Sequence, residues 1–187
     1  MRRLSATDIA HDFLKRYVRE GDTCIDATAG RGKDTLFLCE LVGEKGNVLA
    51  FDIQEEAIES TKNILKENNL LNRAKVVNDS HENMESYCDR ETVSGIIFNL
   101  GYLPGGDHKI ATNPHTTIKA IESGLNLLKE NGVISLSIYH GGDSGFYEKD
   151  LLMKYLKEIE SKKCSVFVME PYNKVNPPIS VFILKNF

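Results

Sequence analysis

Short apolar runs and segments of helical period alternate along most of this chain, and that alternation restricts the fold more than any other feature. The runs lie at residues 23–28, 47–53, 74–78, 95–100, 133–139, 165–169 and 179–184. Runs of this length are typical of buried strands, and the segments between most of them repeat their apolar residues every three or four positions. Strands that alternate with helices predict βαβ crossovers. The sequence therefore predicts an α/β fold with a doubly wound, mostly parallel sheet.

The clearest helical segments are residues 55–68 and 114–130, in which apolar or small side chains recur at helical spacing. Asn113 is placed to cap the second of them, with Pro114 in its first turn. Residues 170–178 break the alternation, because this stretch is short and holds three prolines. Such a linker cannot form a crossover helix. The last strand is therefore predicted to pair antiparallel to its neighbour, as in a hairpin.

Composition limits the location and the partners of the protein. Its 187 residues, of which 41% are hydrophobic, are expected to form a single domain, residues 1–187. The 23 basic and 27 acidic side chains give a net charge of −4, which excludes a strongly basic nucleic-acid-binding surface but not a local patch. The basic residues among the first twenty are typical of a solvated helix face. The chain has neither a signal-peptide core nor an apolar run of the ~20 residues that span a bilayer, which indicates a cytoplasmic protein with no membrane partner.

No disulfide and no metal site are predicted. The four cysteines form no C-x-x-C pair, and Cys24 and Cys164 lie inside apolar runs, which indicates reduced thiols. The histidines and Asp107 within residues 107–140 match no tetrahedral zinc spacing.

The junction between the first strand and the next helix is predicted to bind a cofactor, because ligands of open α/β sheets bind beyond the carboxyl ends of the strands. It reads Asp26-Ala-Thr-Ala-Gly30-Arg-Gly32-Lys-Asp34-Thr35. Gly30 and Gly32 let the backbone approach a ligand, and the helix presents free N–H groups there. A dinucleotide is disfavoured, because Thr35 replaces the third small residue of its fingerprint and because Asp26 and Asp34 would repel a pyrophosphate. A ligand with an ammonium and a sulfonium group, such as S-adenosylmethionine, is favoured instead.

Polar residues also follow the second and third strands. Asp52, at the tip of the second strand, is placed to accept hydrogen bonds from ribose hydroxyls, a role that does not distinguish NAD from S-adenosylmethionine. After the third strand, Asp79 and Ser80 are placed either to reach an adenine edge or to cap a helix. His81 alone is more typical of a surface or capping residue than of a ligand contact.

Three segments carry a family resemblance, namely Asp26-Ala-Thr-Ala-Gly-Arg-Gly, Phe51-Asp-Ile-Gln and Asn99-Leu-Gly-Tyr. They resemble class I methyltransferases that depend on S-adenosylmethionine and, more narrowly, a family of small bacterial proteins first described as putative rRNA methylases. Members of that family have been linked to methylation of the aminomethyl group of the tRNA wobble base 5-aminomethyl-2-thiouridine. The resemblance covers essentially the whole chain, including Tyr139-His-Gly-Gly and Asn176-Pro-Pro. It implies a Rossmann-like, seven-stranded sheet with the last strand reversed.

The resemblance further implies an S-adenosylmethionine-dependent RNA N-methyltransferase whose substrate is the anticodon region of a tRNA. The cofactor contacts that it implies are Asp26, Gly30, Arg31, Gly32, Lys33, Asp34, Thr35, Asp52, Ile53, Gln54, Asp79, Ser80, His81 and Asn99. The chain departs from the family at Arg31 and Lys33, where Asn and His are common. A homodimer is a further expectation, because it would widen the contact surface of so small a tRNA enzyme.

The fourth strand delivers Asn99-Leu-Gly-Tyr102 to the same edge of the sheet. Enzymes that methylate exocyclic or side-chain nitrogen resemble one another there, with Asn, Asp or Ser, then two prolines and an aromatic residue; this chain lacks both prolines. The Asn99 carbonyl can accept a hydrogen bond from an amine and so point the amine lone pair at a methyl group for in-line transfer. Tyr102 offers a π-face to a base or to developing positive charge. Asn99 and Tyr102 are therefore the predicted catalytic residues, the alternative being an ordinary loop of turn residues.

The substrate contacts are predicted to follow in the same loop, where Leu103, Pro104 and Gly105 would form a rigid wall that permits close approach. An alkyl amine arrives mostly protonated, since such amines titrate near ~10, and must lose a proton before it can react. Asp107 and His140 are the candidate bases. The alternative for His140 is a loop histidine that donates to a backbone carbonyl.

Other functions stay open on the residues alone. These are an rRNA, protein or small-molecule N-methyltransferase, an NAD-dependent oxidoreductase on a similar sheet, and a non-catalytic nucleotide-binding module. The last of these leaves Asn99 and Tyr102 without a purpose.

Overall fold

The computed structural model describes residues 4–100, 113–140 and 142–186. The strands are β1 (Thr23–Asp26), β2 (Asn47–Asp52), β3 (Ala74–Asn78), β4 (Val93–Leu100), β5 (Leu128–Ile138), β6 (Cys164–Met169) and β7 (Ile179–Lys185). The helices are α1 (Ala6–Tyr17), α2 (Lys33–Val42), α3 (Glu55–Glu67), α4 (Pro114–Leu127) and α5 (Gly142–Glu158), with 3₁₀ helices at Leu71–Arg73 and His81–Ser86.

The strands form one seven-stranded sheet in the order β3-β2-β1-β4-β5-β7-β6. The pairs from β3 across to β5 are all parallel, whereas β7 is antiparallel to both β5 and β6. The prediction of a doubly wound, Rossmann-like sheet with a reversed last strand is confirmed. The short proline-containing linker returns the chain directly beside β6, so β7 enters the sheet between β5 and the edge strand β6.

Helices cover both faces of the sheet, and successive residues of β4 show this directly. Ile96 and Phe98 belong to the apolar core under α4 and α5, whereas Ile97 belongs to the core under α1, α2 and α3. All three side chains are fully buried. A strand that is covered on both faces needs a continuous apolar run, which is the pattern that β4 has in the sequence.

The ends of the helices follow local chemistry. Ser5 and Asp8 form a reciprocal capping box at the start of α1. Asn113 caps α4 as predicted, because its side-chain oxygen accepts the His115 N–H at 2.9 Å. The predicted helix at 114–130 was too long, since α4 ends at Leu127 and Leu128 already pairs with Val93 of β4. An apolar residue at helical spacing is equally able to begin a buried strand, so periodicity did not mark this boundary.

The cysteines are free thiols, as predicted. Burial raises the pKa of Cys24 and raises that of Cys39 to about 12, so both stay protonated at neutral pH. None of the helices in the described ranges is long and apolar enough to cross a membrane. Within the same ranges, His, Cys, Asp and Glu side chains form no group that could hold a metal ion.

Candidate functional site

The loop between β1 and α2 lies at the carboxyl ends of the parallel strands, beside the ends of β2 and β4. Its backbone turns through Gly30 and Gly32, with φ values of 53° and 77° that favour glycine. The Gly30 N–H donates to Asp52 Oδ2 at 2.9 Å, and the other oxygen of Asp52 accepts the Gln54 N–H at 3.0 Å. Asp52 thus ties the loop to the end of β2, and each of its oxygens keeps a second lone pair for a further donor.

Gly32 has a reason to be glycine other than the predicted approach of a ligand. A Cβ atom there would lie 2.6 Å from Ile64 Cγ2 and 2.7 Å from Thr61 Cα. Both residues belong to α3, so the absence of a side chain at Gly32 allows the loop to pack directly on that helix.

Asp26 and Thr35 lie beneath the loop and are fully buried. Asp26 accepts hydrogen bonds from Thr35 Oγ1 at 2.6 Å and from the Thr28 N–H at 3.2 Å. Burial, followed by the charge of nearby Asp34, raises the pKa of Asp26 to about 7. Both side chains are placed to hold the shape of the loop from inside, and neither presents a surface to a ligand.

Asp34, in the first turn of α2, joins three elements. His11 Nε2, from α1, lies 2.5 Å from Asp34 Oδ1, and Asn99 Nδ2, from the end of β4, donates to Asp34 Oδ2 at 2.6 Å. The His11 ring stacks on Phe37 with a centroid separation of 3.6 Å. The acid predicted as a cofactor contact therefore also fixes the side chain of the predicted catalytic asparagine.

Asn99 is held at two points. Its backbone N–H donates to Thr28 Oγ1 at 2.7 Å, and its side-chain amino group donates to Asp34. Because the amino group is committed to Asp34, the carbonyl oxygen of the same amide is the atom left to accept a hydrogen bond. The predicted role in methyl transfer needs such an acceptor, and it stays a prediction.

Beyond β2, Ile53 is 59% exposed, and Gln54 precedes the first turn of α3 without a capping hydrogen bond from its side chain. An exposed apolar side chain beside the Asp52 carboxylate suits a nucleoside, whose hydroxyls can donate to the acid while its base covers the apolar surface.

Beyond β3, the hydrogen bonds of the Asp79 side chain are made with residues of the turn that follows it. Its oxygens accept hydrogen bonds from Tyr87 Oη at 2.8 Å, from Asn83 Nδ2 at 2.9 Å and from the Ser80 N–H at 2.7 Å. The bond from Tyr87 is the main reason why the pKa of Asp79 is lowered. Ser80 caps the 3₁₀ helix by accepting the Glu82 N–H at 3.4 Å. The capping alternative is therefore present, and an adenine contact by either residue stays a prediction.

His81 points inward rather than to the surface. Its Nδ1 lies 3.1 Å from the carbonyl oxygen of Ala27, and since a carbonyl only accepts, Nδ1 carries the hydrogen. Nε2 is buried without a hydrogen-bond partner in the described part of the chain. Burial lowers the pKa of His81, so the ring is neutral near pH 7 with Nε2 as an acceptor at the end of β1.

Arg31 and Lys33 lie on the side of the loop that faces α3. They line an open groove of about 510 Å³ whose other residues are Glu56, Glu59, Ser60, Asn63, Ile64 and Glu67. The two cations therefore adjoin the acidic surface of α3. The resemblance implied instead that both of them contact the cofactor, which stays a prediction.

His140 follows β5 at the same edge of the sheet and is only 9% exposed. Neither ring nitrogen has a hydrogen-bond partner among the residues that the structure describes, so the alternative of a bond to a backbone carbonyl is not seen there. A buried polar group without a partner is costly, so the two ring nitrogens of His140 require an explanation, for which a catalytic role is one candidate. The predicted substrate and catalytic residues Tyr102, Leu103, Pro104, Gly105 and Asp107 lie outside the described residues.

Sequence reasoning missed His11 and Thr28, the two side chains that fix Asp34 and Asn99 from other elements. The one available signal was His11 itself, a polar residue at the border of the apolar face of an amphipathic helix, three positions before the buried Leu14.

The side chains that meet at this edge fit S-adenosylmethionine. The carboxylates of Asp34 and Asp52 lie close enough to Asp26 for their charges to raise its pKa, so carboxylates cluster at the end of β1, whereas Arg31 and Lys33 of the same loop lie on the side that faces α3. Such a cluster of carboxylates attracts an ammonium or sulfonium group and repels a pyrophosphate. Asp52 and Ile53 supply what a ribose and a base need.

Comparisons with known proteins agree with this geometry. The family model described as "Putative rRNA methylase" matches residues 48–185. A chloroplastic tRNA (mnm(5)s(2)U34)-methyltransferase of Arabidopsis thaliana is 35% identical over 98% of this chain and 70% of its own length. Two solved structures also match over nearly the whole chain.

The first is a putative rRNA-methylase from Clostridium thermocellum, 45% identical, which covers 99% of this chain and 100% of that chain with a TM-score of 0.96. The second is a putative methyltransferase from Streptococcus mutans in complex with SAH, 33% identical, which covers 99% of both chains with a TM-score of 0.88. The predictions of a methyltransferase and of S-adenosylmethionine as its cofactor are confirmed. The chain belongs to the putative rRNA methylase family.

Proposed function

We propose that this protein transfers a methyl group from S-adenosylmethionine to the aminomethyl nitrogen of 5-aminomethyl-2-thiouridine at the wobble position of tRNA. The observation that carries the proposal is the amide of Asn99, whose amino group donates to Asp34 and whose carbonyl oxygen is thereby available to an incoming amine. The choice of tRNA is supported by the Arabidopsis relative, which is named for the methylated form of that base at position 34 and is 35% identical over 98% of this chain.

The cofactor would be held by the loop and the ends of the neighbouring strands. Asp52 would accept the ribose hydroxyls, and Ile53 would lie against the base. Asp34 would attract the positive charges near its carboxylate. S-adenosylmethionine, when bound, supplies a methyl group on a positively charged sulfur. A nucleophile takes the methyl group, and the sulfur leaves as the neutral thioether of S-adenosylhomocysteine.

Asn99 would orient the substrate amine. An in-line displacement needs the nitrogen lone pair aligned with the methyl carbon, and a hydrogen bond from the amine N–H to a fixed carbonyl sets that direction. Because both ends of Asn99 are tied down, by Thr28 at the backbone and by Asp34 at the side chain, the carbonyl has little freedom to move.

His140 would take the proton that the amine must lose. A neutral imidazole has one acceptor nitrogen, and His140 is buried at the catalytic edge with neither nitrogen engaged by a described residue. Tyr102 as an aromatic surface and Asp107 as a second base stay predictions, as do contacts with Leu103, Pro104 and Gly105.

The nearer of the two basic residues that end α1 is Lys15, whose Nζ lies 5.9 Å from the centre of the Phe37 ring that stacks on His11. Lys15 and Arg16 occupy the last turn of the helix, which leads into the start of β1 and so lies toward the amino ends of the strands. Recognition of the anticodon region, a homodimer and a cytoplasmic location also stay predictions.

The proposal is tested by incubating the protein with methyl-labelled S-adenosylmethionine and tRNA from cells that do not methylate the wobble aminomethyl group. We expect label in the wobble nucleoside, identified by mass spectrometry after digestion. The matched control is tRNA from cells in which the base is already methylated, which should accept no label. Transfer to rRNA with none to tRNA would replace this substrate by another RNA, and transfer that survives nuclease treatment of the acceptor would point to a protein or a small molecule.

A further inference from the structure

The geometry points to His11 as a positioning residue for methyl transfer, acting through Asp34 on the amide of Asn99. The inference rests on the proposed function of Asn99 as the residue that orients the amine. It adds to that function a part of the chain, the first helix, to which neither the sequence motifs nor the comparisons give a role.

The three side chains form one continuous hydrogen-bonded path. His11 Nε2 lies 2.5 Å from one oxygen of Asp34, and Asn99 Nδ2 lies 2.6 Å from the other. A carboxylate oxygen accepts, so Nε2 of His11 carries a hydrogen and donates it. Asp34 therefore has one donor on each oxygen, which fixes the plane of its carboxylate and, with it, the direction of the Asn99 amide.

His11 is itself held rigidly. Its ring stacks on Phe37 of α2 with an interplanar angle of 4°. The helix that carries it is anchored to the sheet by Leu14, which is fully buried, and by Phe13, whose ring lies 3.9 Å from that of Phe182 in β7. A residue fixed by packing on two elements can hold a carboxylate in one position.

The contact is also shielded from water. The side chains of His11 and Asp34 are only 21% and 12% exposed. A hydrogen bond to a charged group is stronger at such a site than at the surface. A surface ion pair would by contrast lose most of its effect to solvent.

A merely structural role for His11 would stabilise the fold without affecting Asn99. The variant His11→Phe separates the two roles, because a phenyl ring preserves the stack on Phe37 and removes the donor to Asp34. His11→Gln is its counterpart, since it loses the ring and keeps an N–H donor of similar reach. His11→Leu replaces His11→Phe should the latter fail to fold.

We expect His11→Phe to lower kcat for tRNA by about 10-fold, because a small displacement of an orienting group is enough for such a loss. KM for tRNA should change less than about threefold, since His11 contacts Asp34 and is not proposed to contact the tRNA. His11→Gln should recover part of kcat. In an Asn99→Ala background, His11→Phe should have no further effect, because the residue through which it acts is gone.

A second readout needs no substrate and so separates this inference from the proposed function. The side-chain amide signals of Asn99 are identified in a ¹⁵N spectrum by their loss in Asn99→Ala, and they should shift in His11→Phe. The side-chain signals of Asn83, which bonds to Asp79, should stay in place. Unmoved Asn99 signals would overturn the inference even if the enzyme methylates tRNA, and shifted signals would sustain the path of contacts even if tRNA is the wrong substrate. Full activity in His11→Phe would overturn it as well.

Discussion

The acidic turns that follow β1 and β3 look alike in the sequence but differ in the range of their contacts. Asp34, after β1, contacts His11 and Asn99, which lie 23 and 65 positions away in the chain. Asp79, after β3, contacts Ser80, Asn83 and Tyr87, all within 8 positions. The first carboxylate connects elements of the fold, whereas the second stabilises its own turn.

The difference shows that two carboxylates placed alike after a strand can hold very different parts of the fold together. A local network such as that of Asp79 can form wherever a strand leads into a short helix, and it specifies nothing beyond that helix. A network that spans three elements exists only in the complete fold. Such a network can therefore hold a side chain such as Asn99 in the fixed position that a catalytic residue needs.

The sharpest test of the comparison uses one asparagine from each network. Asn99→Ala removes the carbonyl that is proposed to orient the amine, and we expect kcat to fall by about 100-fold or more. S-adenosylhomocysteine affinity should change less than about threefold. Asn83→Ala removes the partner of Asp79 and should leave both quantities within about twofold. Steady-state kinetics and calorimetry measure the pair, and equal losses of kcat and affinity in Asn99→Ala would make Asn99 a binding residue instead.

A smaller effect is expected on cofactor affinity when one acid from each region loses its charge. Asp52→Asn weakens the acceptor for ribose hydroxyls and the bond from Gly30, so we expect affinity for S-adenosylhomocysteine to fall by about 10- to 100-fold. Asp79→Asn should reduce it by less than about threefold, because its oxygens are already used by the turn. Calorimetric titrations decide the point, and comparable losses in the two variants would show that Asp79 contacts the cofactor.

The last prediction concerns the pH dependence of stability, and it again distinguishes the first region. Burial and the charge of Asp34 raise the pKa of Asp26 to about 7 in the folded protein, whereas an unfolded chain loses this proton near ~3.9. The group favours folding at low pH, and this contribution declines as pH rises from about 4 to 7, by at most ~1.4 kcal/mol per pH unit. As pH rises from about 4 to 7, the free energy of unfolding of Asp26→Asn should therefore fall less than that of the wild type. Urea unfolding at a series of pH values measures this, and parallel curves would contradict it.

Much of the fold could be predicted because its signals are local. Most strands contain a short apolar run, and the reversed β7 followed from the prolines of a single linker. The cap at Asn113 followed from two adjacent residues. The end of α4 could not be found in this way, because Leu128 suits a helix and a strand equally well and its pairing with Val93 decides between them.

The candidate site was predictable only in part. The glycine loop, Asp52 and Asn99 could be predicted because each of them directly follows a predicted strand. His11 carries no such signal, since its importance depends on a contact with a residue 23 positions away. Gly32 is a similar case, because it must be glycine in order to pack against α3. That contact cannot be inferred from the sequence of the loop alone.

The place of β7 between β5 and β6 has a consequence for the order in which the protein can assemble during synthesis. In the described sheet, β6 has β7 as its only neighbour. When a ribosome has made β6 but not yet β7, that strand has nothing to pair with, and the β5 side of the sheet is an open edge. The nascent chain must therefore carry both exposed surfaces until its final strand emerges, which makes this interval the one most open to aggregation or to a chaperone.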